Sequence, residues 1–287
     1  ESVGCAGDTT VLPGKDELVH TTSGGVERTY YRHIPTSQFA PAAPVIIDLH
    51  GYSEGATVHL QMSGLGAFGD REGFVTITPQ GSGPVARWDT EFDSADMMFI
   101  GDLLDEIERT LCVDRNRVFV TGLSNGAFMT SAIACVFDDR IAAVAPIAGV
   151  RVVDGCDTDR PVPMMTIHGT ADGYVSFDGG LGEDALDLPA PDGSGVTLGD
   201  GEIPPELLVG PSVPETVAAW ATRNGCKGEL EPEALTEMTI EPFPADVVLH
   251  EFDCPPEASV RFLEIVDGGH TWPGSEFARN IEAILGH

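Results

Sequence analysis

The stretch RVFVTGLSNGAFMTSAIACVF, residues 117–137, decides how the chain folds. Its first residues are rich in β-branched and aromatic side chains and predict a strand, and residues 125–137 predict a helix. Between them GLSNG (122–126) fits the pattern G-x-S-x-G, whose glycines permit a tight turn that exposes the serine hydroxyl. We therefore interpret Ser124 as a nucleophile at a strand–turn–helix elbow.

A second match to the same pattern, GYSEG (51–55), follows the apolar run APVIIDLHG (43–51). The motif is short, so the setting must distinguish the two matches. Ser124 stands between a strand and a convincing helix, whereas Ser53 follows the first buried strand, where a donor for an oxyanion is expected instead. We interpret Ser53 as an ordinary loop serine or a neighbour of the pocket.

Outside this stretch, apolar runs alternate with helical patterns. Strands are predicted over 26–34, 43–51, 74–81, 117–122, 141–149, 162–169 and 260–266, a strand or hairpin over 236–252, and helices over 95–113, 125–137, 212–224 and from Ser275. Strands alternating with helices indicate a mostly parallel sheet flanked by helices, an α/β architecture. We expect one catalytic domain over 1–287, interrupted by an irregular acidic loop at 179–211.

A serine hydroxyl needs a base to take its proton and a carboxylate to orient that base. In sheets of this class the chain order is serine, acid, histidine. His250, His270 and His287 come late enough, but only His270 lies in a glycine-flanked loop at a strand end, so we predict it as the base. Asp172 follows the strand 162–169 and is the predicted acid. Asp178 is the alternative candidate for this role.

Acyl transfer also requires donors aimed at the developing oxyanion. The backbone N–H of Asn125, directly after the nucleophile, is one candidate. The loop HGYSEG supplies the second, for which we predict the N–H of Tyr52. Tyr52, Trp88 and Trp272 lie in loops beside the predicted site, and we expect them to form aromatic walls that grip an apolar acyl group. Trp220 lies on an apolar helix stripe and is predicted to be core.

The chain carries 46 acidic and 15 basic residues, a formal net charge of −31. Such a charge repels nucleic acid and anionic membranes, so neither is an expected partner, and we expect a monomer. The surface suits either a salty environment or a general need for solubility. No Cys/His cluster has metal spacing, so no metal is expected, and no cofactor motif is present.

Six cysteines are scattered through the chain: Cys5, Cys112, Cys135, Cys156, Cys226 and Cys254. An even, scattered set without metal spacing indicates disulfides and export, the alternative being six buried free thiols in a cytosolic protein. The first residues lack the basic start and apolar run of a signal peptide, as a mature chain would.

Taken together, the motifs LHGYSEG, RWD, GLSNGA, AAVAPIAG, HGTAD and GGHTWPG resemble those of the secreted polyhydroxybutyrate depolymerase and feruloyl esterase family of α/β-hydrolases. The resemblance runs from about Gly25 to the predicted last helix. It implies Ser124, Asp172 and His270 as a catalytic triad, with Tyr52 and Asn125 as the oxyanion hole. It also implies an exported enzyme without a cofactor.

Six cysteines allow 15 pairings, so the sequence alone does not fix the disulfides. The family resemblance, with assumed proximity, implies Cys5–Cys112, Cys135–Cys156 and Cys226–Cys254. Two features depart from the family pattern. The loop 179–211 is longer and more acidic than expected, and no separate polymer-binding domain follows the catalytic one.

The activity predicted from these residues is hydrolysis of carboxylic esters through an acyl-enzyme. The expected substrates are polyesters of the hydroxyalkanoate type or related extended and aryl esters. The alternative is a feruloyl or acetyl esterase acting on plant polysaccharide. A peptidase or thioesterase on the same fold, and a binding protein without catalysis, are the remaining hypotheses.

Overall fold

One ten-stranded sheet runs through the part of the chain that the computed structural model describes, residues 1–6, 12–36, 42–156, 160–201, 203, 208–235 and 246–273. The strands are β1 Asp16–Ser23, β2 Val26–His33, β3 Ala43–Leu49, β4 Val75–Pro79, β5 Val113–Leu123, β6 Ala143–Ile147, β7 Met164–Gly169, β8 Lys227–Leu235, β9 Val247–Asp253 and β10 Val260–Ile265. Their order in the sheet is β1-β2-β4-β3-β5-β6-β7-β10-β9-β8.

The centre of the sheet is parallel and its edges are antiparallel. Strands β4, β3, β5, β6, β7 and β10 pair in parallel, whereas β1 with β2 and β8 with β9 form antiparallel pairs outside them. The central strands are apolar on both faces, as in β7, where every residue is buried. The predicted α/β architecture is therefore confirmed.

Helices cover both faces of this sheet. They are α1 Ala56–Ser63, α2 Leu65–Glu72, α3 Ala95–Thr110, α4 Asn125–Val136 and α5 Val213–Arg223. At the start of α5 the Ser212 hydroxyl accepts from the Glu215 N–H while the Glu215 carboxylate accepts from the Ser212 N–H, the capping box that the sequence predicts. Trp220 on this helix is buried, as predicted for a core residue.

The element boundaries differ from the predictions in identifiable ways. Helix α3 ends at Thr110 rather than at 113, because β5 begins at Val113 and extends the predicted strand towards the N-terminus. Strand β1 and the short helices α1 and α2 were not predicted. The last helix, predicted from Ser275, and much of the hairpin predicted over 236–252 lie outside the described residues.

Three disulfides join the cysteine pairs that the family resemblance implied: Cys5–Cys112, Cys135–Cys156 and Cys226–Cys254. The first fastens the N-terminal segment beside the end of α3. There the Ser2 hydroxyl donates to the Leu111 carbonyl at 2.6 Å and accepts from the Val113 N–H at 3.0 Å. All six cysteines are bonded.

The acidic segment 179–211 is irregular where it is described, in agreement with its sequence. It contains two short 3₁₀ turns, Glu183–Asp187 and Leu198–Asp200, and two isolated bridges that tie it into a compact excursion. Its base is fixed where the Val213 N–H donates to the Phe177 carbonyl at 2.9 Å. The described residues of this excursion add no strand to the central sheet.

Candidate active site

Ser124 occupies a strained turn between β5 and α4. Its backbone has φ 57° and ψ −116°, a conformation that a non-glycine residue adopts at an energetic cost. The Ser124 N–H donates to the Ile147 carbonyl at 2.9 Å, and the Ser124 carbonyl accepts from the N–H groups of Ala127 and Phe128. The turn is thus held by the neighbouring strand and by the first turn of α4.

The glycines of the G-x-S-x-G motif are required by close packing. A Cβ at Gly122 would lie 2.6 Å from the Gly126 carbonyl oxygen, and a Cβ at Gly126 would lie 2.3 Å from the Leu49 carbonyl oxygen. Such distances are shorter than van der Waals contact, so any side chain would displace the backbone. The start of α4 therefore lies directly against the end of β3.

Register brings the strand ends that follow this turn together. Leu123 of β5 pairs with Ile147 of β6, Ile147 pairs with Ile167 of β7, and Ile167 pairs with Leu263 of β10. Because these strands are parallel and adjacent, the loops after β5, β7 and β10 emerge at one edge of the sheet. Those loops carry Ser124, Asp172 and His270.

Asp172 and His270 form a direct pair at this edge. The Nδ1 atom of His270 lies 2.8 Å from Oδ2 of Asp172, although 98 residues separate them in sequence. The other carboxylate oxygen, Oδ1, accepts from the N–H groups of Tyr174 and Val175, each at 2.9 Å. The carboxylate is buried, so its orientation is fixed by these bonds, and it binds His270 at Nδ1, the ring nitrogen opposite Nε2.

A second histidine, His168, also contacts Asp172. Its Nε2 donates to the Val175 carbonyl at 2.9 Å and lies 3.3 Å from Oδ2 of Asp172. Burial alone would raise the pKa of Asp172, but the hydrogen bonds from His168 and His270 hold that pKa well below its usual range. Asp172 is therefore a carboxylate at any ordinary pH. The sequence analysis missed His168, although it shares the motif HGTAD with Asp172.

The predicted oxyanion donors are free to bind a ligand. In the described part of the chain, the backbone N–H groups of Tyr52 and Asn125 donate to no protein acceptor. A Cβ at Gly51, which precedes Tyr52, would lie 3.7 Å from the Ser124 Cβ, so this loop adjoins the nucleophile. The Asn125 side chain meanwhile brackets Trp88, accepting from its N–H at 2.6 Å and donating to its carbonyl at 3.1 Å.

The prediction that tryptophans wall the substrate pocket is wrong for Trp88. Its side chain is 2% exposed, its indole N–H donates to the His50 carbonyl at 3.0 Å, and its ring packs on the His50 ring. Trp272 is 9% exposed and packs edge-on against His59. Each ring packs on a histidine, Trp88 on His50 and Trp272 on His59, so both tryptophans contribute to packing.

Of the three aromatic residues predicted to line the site, Tyr52 stays partly exposed, and Tyr174, which was not predicted, lies beside His270. The partly exposed Tyr174 ring lies 5.0 Å from the His270 ring, and its position two residues after Asp172 was the signal that sequence reasoning overlooked. Tyr52 is partly buried, and its hydroxyl donates to the Pro189 carbonyl at 2.8 Å. This bond connects the acidic segment 179–211 to the oxyanion loop.

The alternative residues lie away from the pair. Ser53 is exposed at the tip of its loop, and Asp178 is exposed beyond Tyr174. His250 is in β9, where its Nε2 lies 2.8 Å from Glu264 and its ring stacks on Phe262. His287 lies outside the described residues.

A separate cleft of about 430 Å³ opens between β2, β4 and the pair of helices α1 and α2. It is lined by polar residues that include Asp16, His33 and Asp70. The three residues of the predicted triad do not line it. Within the described ranges no group of His, Cys, Asp and Glu could hold a metal ion, and no helix there is long and apolar enough to cross a membrane.

Fold and site together define an α/β-hydrolase, and comparison with known proteins gives the same class. The chain is 30% identical over 268 residues to "Putative esterase NocK" of Nocardia uniformis subsp. tsuyamanensis. The aligned region covers 88% of this chain and 73% of the relative. The chain belongs to the family of this relative. No protein-family model matches it.

Other relatives match over shorter regions. Feruloyl esterase B of Piromyces equi is 29% identical over 66% of this chain, and poly(3-hydroxyalkanoate) depolymerase C of Paucimonas lemoignei is 33% identical over 42%. The chain spans only 34% and 30% of their lengths. Among solved structures, the acetyl xylan esterase from Aspergillus awamori superimposes with a TM-score of 0.68 over 95% of this chain and 99% of that one, at 16% identity, which shows the shared fold.

Proposed function

We propose that the protein is an exported serine esterase that acts through an acyl-enzyme on Ser124. The observation that carries this proposal is the hydrogen-bonded pair of the buried Asp172 with His270 on the sheet edge where Ser124 occupies its strained turn. The three disulfides support export, since such bonds persist in oxidising surroundings. The net charge of −31 supports a monomer that avoids anionic partners.

In this mechanism the Ser124 Oγ attacks the ester carbonyl carbon while Nε2 of His270 takes the hydroxyl proton. The N–H groups of Tyr52 and Asn125 bind the oxyanion of the tetrahedral intermediate. The protonated His270 then gives its proton to the departing alcohol, leaving Ser124 acylated. Water attacks the acyl group with His270 again as base, which releases the acid and restores the hydroxyl.

For the acyl group we propose an aryl acid of the hydroxycinnamoyl kind, esterified to a plant polysaccharide. The Tyr174 ring lies beside His270, and Tyr52 follows Gly51, which adjoins Ser124; an aromatic side chain at each place supports binding of a flat aryl group. Trp88 and Trp272 are buried, so two of the three aromatic side chains expected to grip an apolar acyl group are not exposed in the described site. The relative in Piromyces equi is named a feruloyl esterase and the one in Paucimonas lemoignei a poly(3-hydroxyalkanoate) depolymerase, so feruloyl esters and polyesters are both candidate substrates.

The first test is Ser124→Ala, with Ser53→Ala as its matched control. We expect Ser124→Ala to lower kcat on a p-nitrophenyl ester by at least ~10³ while the protein stays folded, because oxyanion binding alone remains. A fluorophosphonate probe should label the unchanged protein at Ser124. If Ser53→Ala abolished activity while Ser124→Ala stayed active, the nucleophile would be Ser53 and the assignment to Ser124 would be wrong.

The second test compares methyl ferulate, p-nitrophenyl acetate and a hydroxybutyrate polyester film. We expect the highest kcat/KM with the ferulate ester. Tyr174→Ala should lower kcat/KM for ferulate by ~10-fold, which corresponds to about 1.4 kcal/mol for one aromatic contact, with a smaller effect on acetate. Preferred action on the film would move the assignment to polyesters and leave the triad untouched.

A further inference from the structure

The loop that carries the Tyr52 N–H is held by two side chains that the mechanism above does not use, the buried His50 and the partly buried Glu54. His50 and Glu54 lie on either side of Gly51, and each binds one of the two peptide groups that flank it. Gly51 itself lies beside Ser124. The loop therefore has a defined set of supports directly next to the nucleophile.

His50 binds the peptide group that contains the Tyr52 N–H. Its Nε2 lies 2.9 Å from the Gly81 nitrogen, and a backbone N–H can only donate, so Nε2 carries no proton. The proton of the neutral ring is consequently on Nδ1, which donates to the Gly51 carbonyl at 2.7 Å. Burial lowers the pKa of His50, in keeping with this neutral form.

Because the peptide group is planar and trans, the Gly51 carbonyl and the Tyr52 N–H point in opposite directions. A bond that fixes the carbonyl therefore also fixes the direction of the N–H. His50 is held in turn by the Trp88 indole, which donates to the His50 carbonyl at 3.0 Å.

Glu54 binds the preceding peptide group. Its Oε2 accepts from the Gly51 N–H at 2.7 Å and lies 3.2 Å from Nδ1 of His59. Nε2 of His59 lies 2.8 Å from Oδ1 of Asp48, and the side chains of His59 and Asp48 are fully buried. With a carboxylate at each ring nitrogen, His59 is an imidazolium, and it fixes the position of the Glu54 carboxylate.

We propose that His50 is a positioning residue, which aims the Tyr52 N–H at the oxyanion through the Gly51–Tyr52 peptide group, and that Glu54 holds Gly51 from the other side. The inference rests on the proposed function, since it assigns a task only to an enzyme that forms an oxyanion at Ser124. Neither side chain touches the substrate. The two side chains fix the direction of one donor to the oxyanion. Their loss should therefore weaken stabilisation of the transition state rather than binding of the ester.

Two matched variants, His50→Asn and His50→Gln, distinguish the proposed positioning role of His50 from a purely packing role of its imidazole. In His50→Asn the side-chain amide NH₂ lies near the former Nδ1 and still reaches the Gly51 carbonyl. In His50→Gln the amide lies near the former Nε2, so it can accept from Gly81 but leaves the Gly51 carbonyl with only the long bond from the Glu54 N–H at 3.4 Å. Both remove a buried imidazole, and melting temperatures will show whether they are similarly stable.

We expect His50→Gln to lower kcat by ~10- to 100-fold with little change in KM, since outright loss of an oxyanion donor costs about 10²–10³. The inhibition constant of a trifluoromethyl ketone, which forms an oxyanion on the serine, should rise by the same factor. His50→Asn should lose less in both measurements. Equal kcat values for the two variants, or a change confined to KM, would overturn the proposal.

A measurement on the unchanged protein covers the case in which both variants fail to fold. Nitrogen-15 NMR of the histidine rings should find His50 neutral with its proton on Nδ1, and a proton on Nε2 would overturn the proposal. Failure of the proposed function looks different. It would be seen as full activity in Ser124→Ala, whatever the result at His50.

Discussion

Asp172→Asn is the change for which the structure gives the sharpest expectation. Oδ1 of Asp172 accepts two backbone N–H groups, so the amide oxygen of the asparagine must take that place. The amide NH₂ then faces Nδ1 of His270, which must become an acceptor and carry its proton on Nε2. In that tautomer His270 cannot take a proton from Ser124.

The magnitude follows from the cost of the opposite orientation. To present its oxygen to His270, the asparagine would have to turn its NH₂ towards the N–H groups of Tyr174 and Val175. Two buried donors left unpaired cost ~1–3 kcal/mol each, or ~2–6 kcal/mol together. At 1.36 kcal/mol per tenfold change in rate, kcat should fall by a factor of ~30 to ~3 × 10⁴.

The assay is steady-state hydrolysis of a p-nitrophenyl ester, with circular dichroism to confirm that the variant is folded. Asp178→Asn is the matched control, because Asp178 is exposed and lies six residues further along the same loop. KM should change little in either variant. A kcat close to that of the unchanged protein in Asp172→Asn would refute the reasoning, and a loss confined to Asp178→Asn would transfer the role.

Three further outcomes are expected. Trp88→Ala should lower the free energy of unfolding by ~3–5 kcal/mol in urea, the usual cost of emptying a buried aromatic site, and an effect on KM alone would restore the substrate role predicted for it. Replacing Cys5 and Cys112 by serine should cost ~5 kcal/mol in the chain-entropy model, since 107 residues separate them, and unchanged urea unfolding would show that the bond constrains little. Burial alone would lower the pKa of His59, but Asp48 and Glu54 raise it from its ordinary 6.5 to about 10, so the stability it contributes is fully present below pH 6.5 and is lost as pH rises to about 10. Urea unfolding across that range should show a weaker pH dependence in His59→Gln, and an identical dependence would contradict the charged state.

The parts of the fold that local patterns encode were predictable from the sequence. The elbow around Ser124 combines a strand, two glycines and a helix within 21 residues, so its identity needs no knowledge of distant contacts. The loop positions of Asp172 and His270 follow from the rule that parallel strands end at one edge of the sheet. The strained φ of Ser124 fits the interpretation of the motif.

The parts that depend on long-range packing were not predictable. Trp88 lies in a polar loop, and only the contact with His50, 38 residues away, shows that its ring is buried. Helix α2 contains two glycines in eight residues, so its sequence gives little helical signal. The tautomer of His50 depends on Gly81, a partner that no local pattern reveals.

The contact between Gly126 and the end of β3 also bears on how the protein can be altered. Where α4 meets the end of β3, the two backbones leave no room for even one methyl group, so Gly126 cannot be replaced by a larger residue without moving the backbone. Tyr174 and Tyr52 are partly exposed, and the described part of the excursion, which contacts Tyr52 at Pro189, adds no strand to the sheet. A mutant library aimed at new ester specificity should therefore spare the elbow and randomise these outer positions.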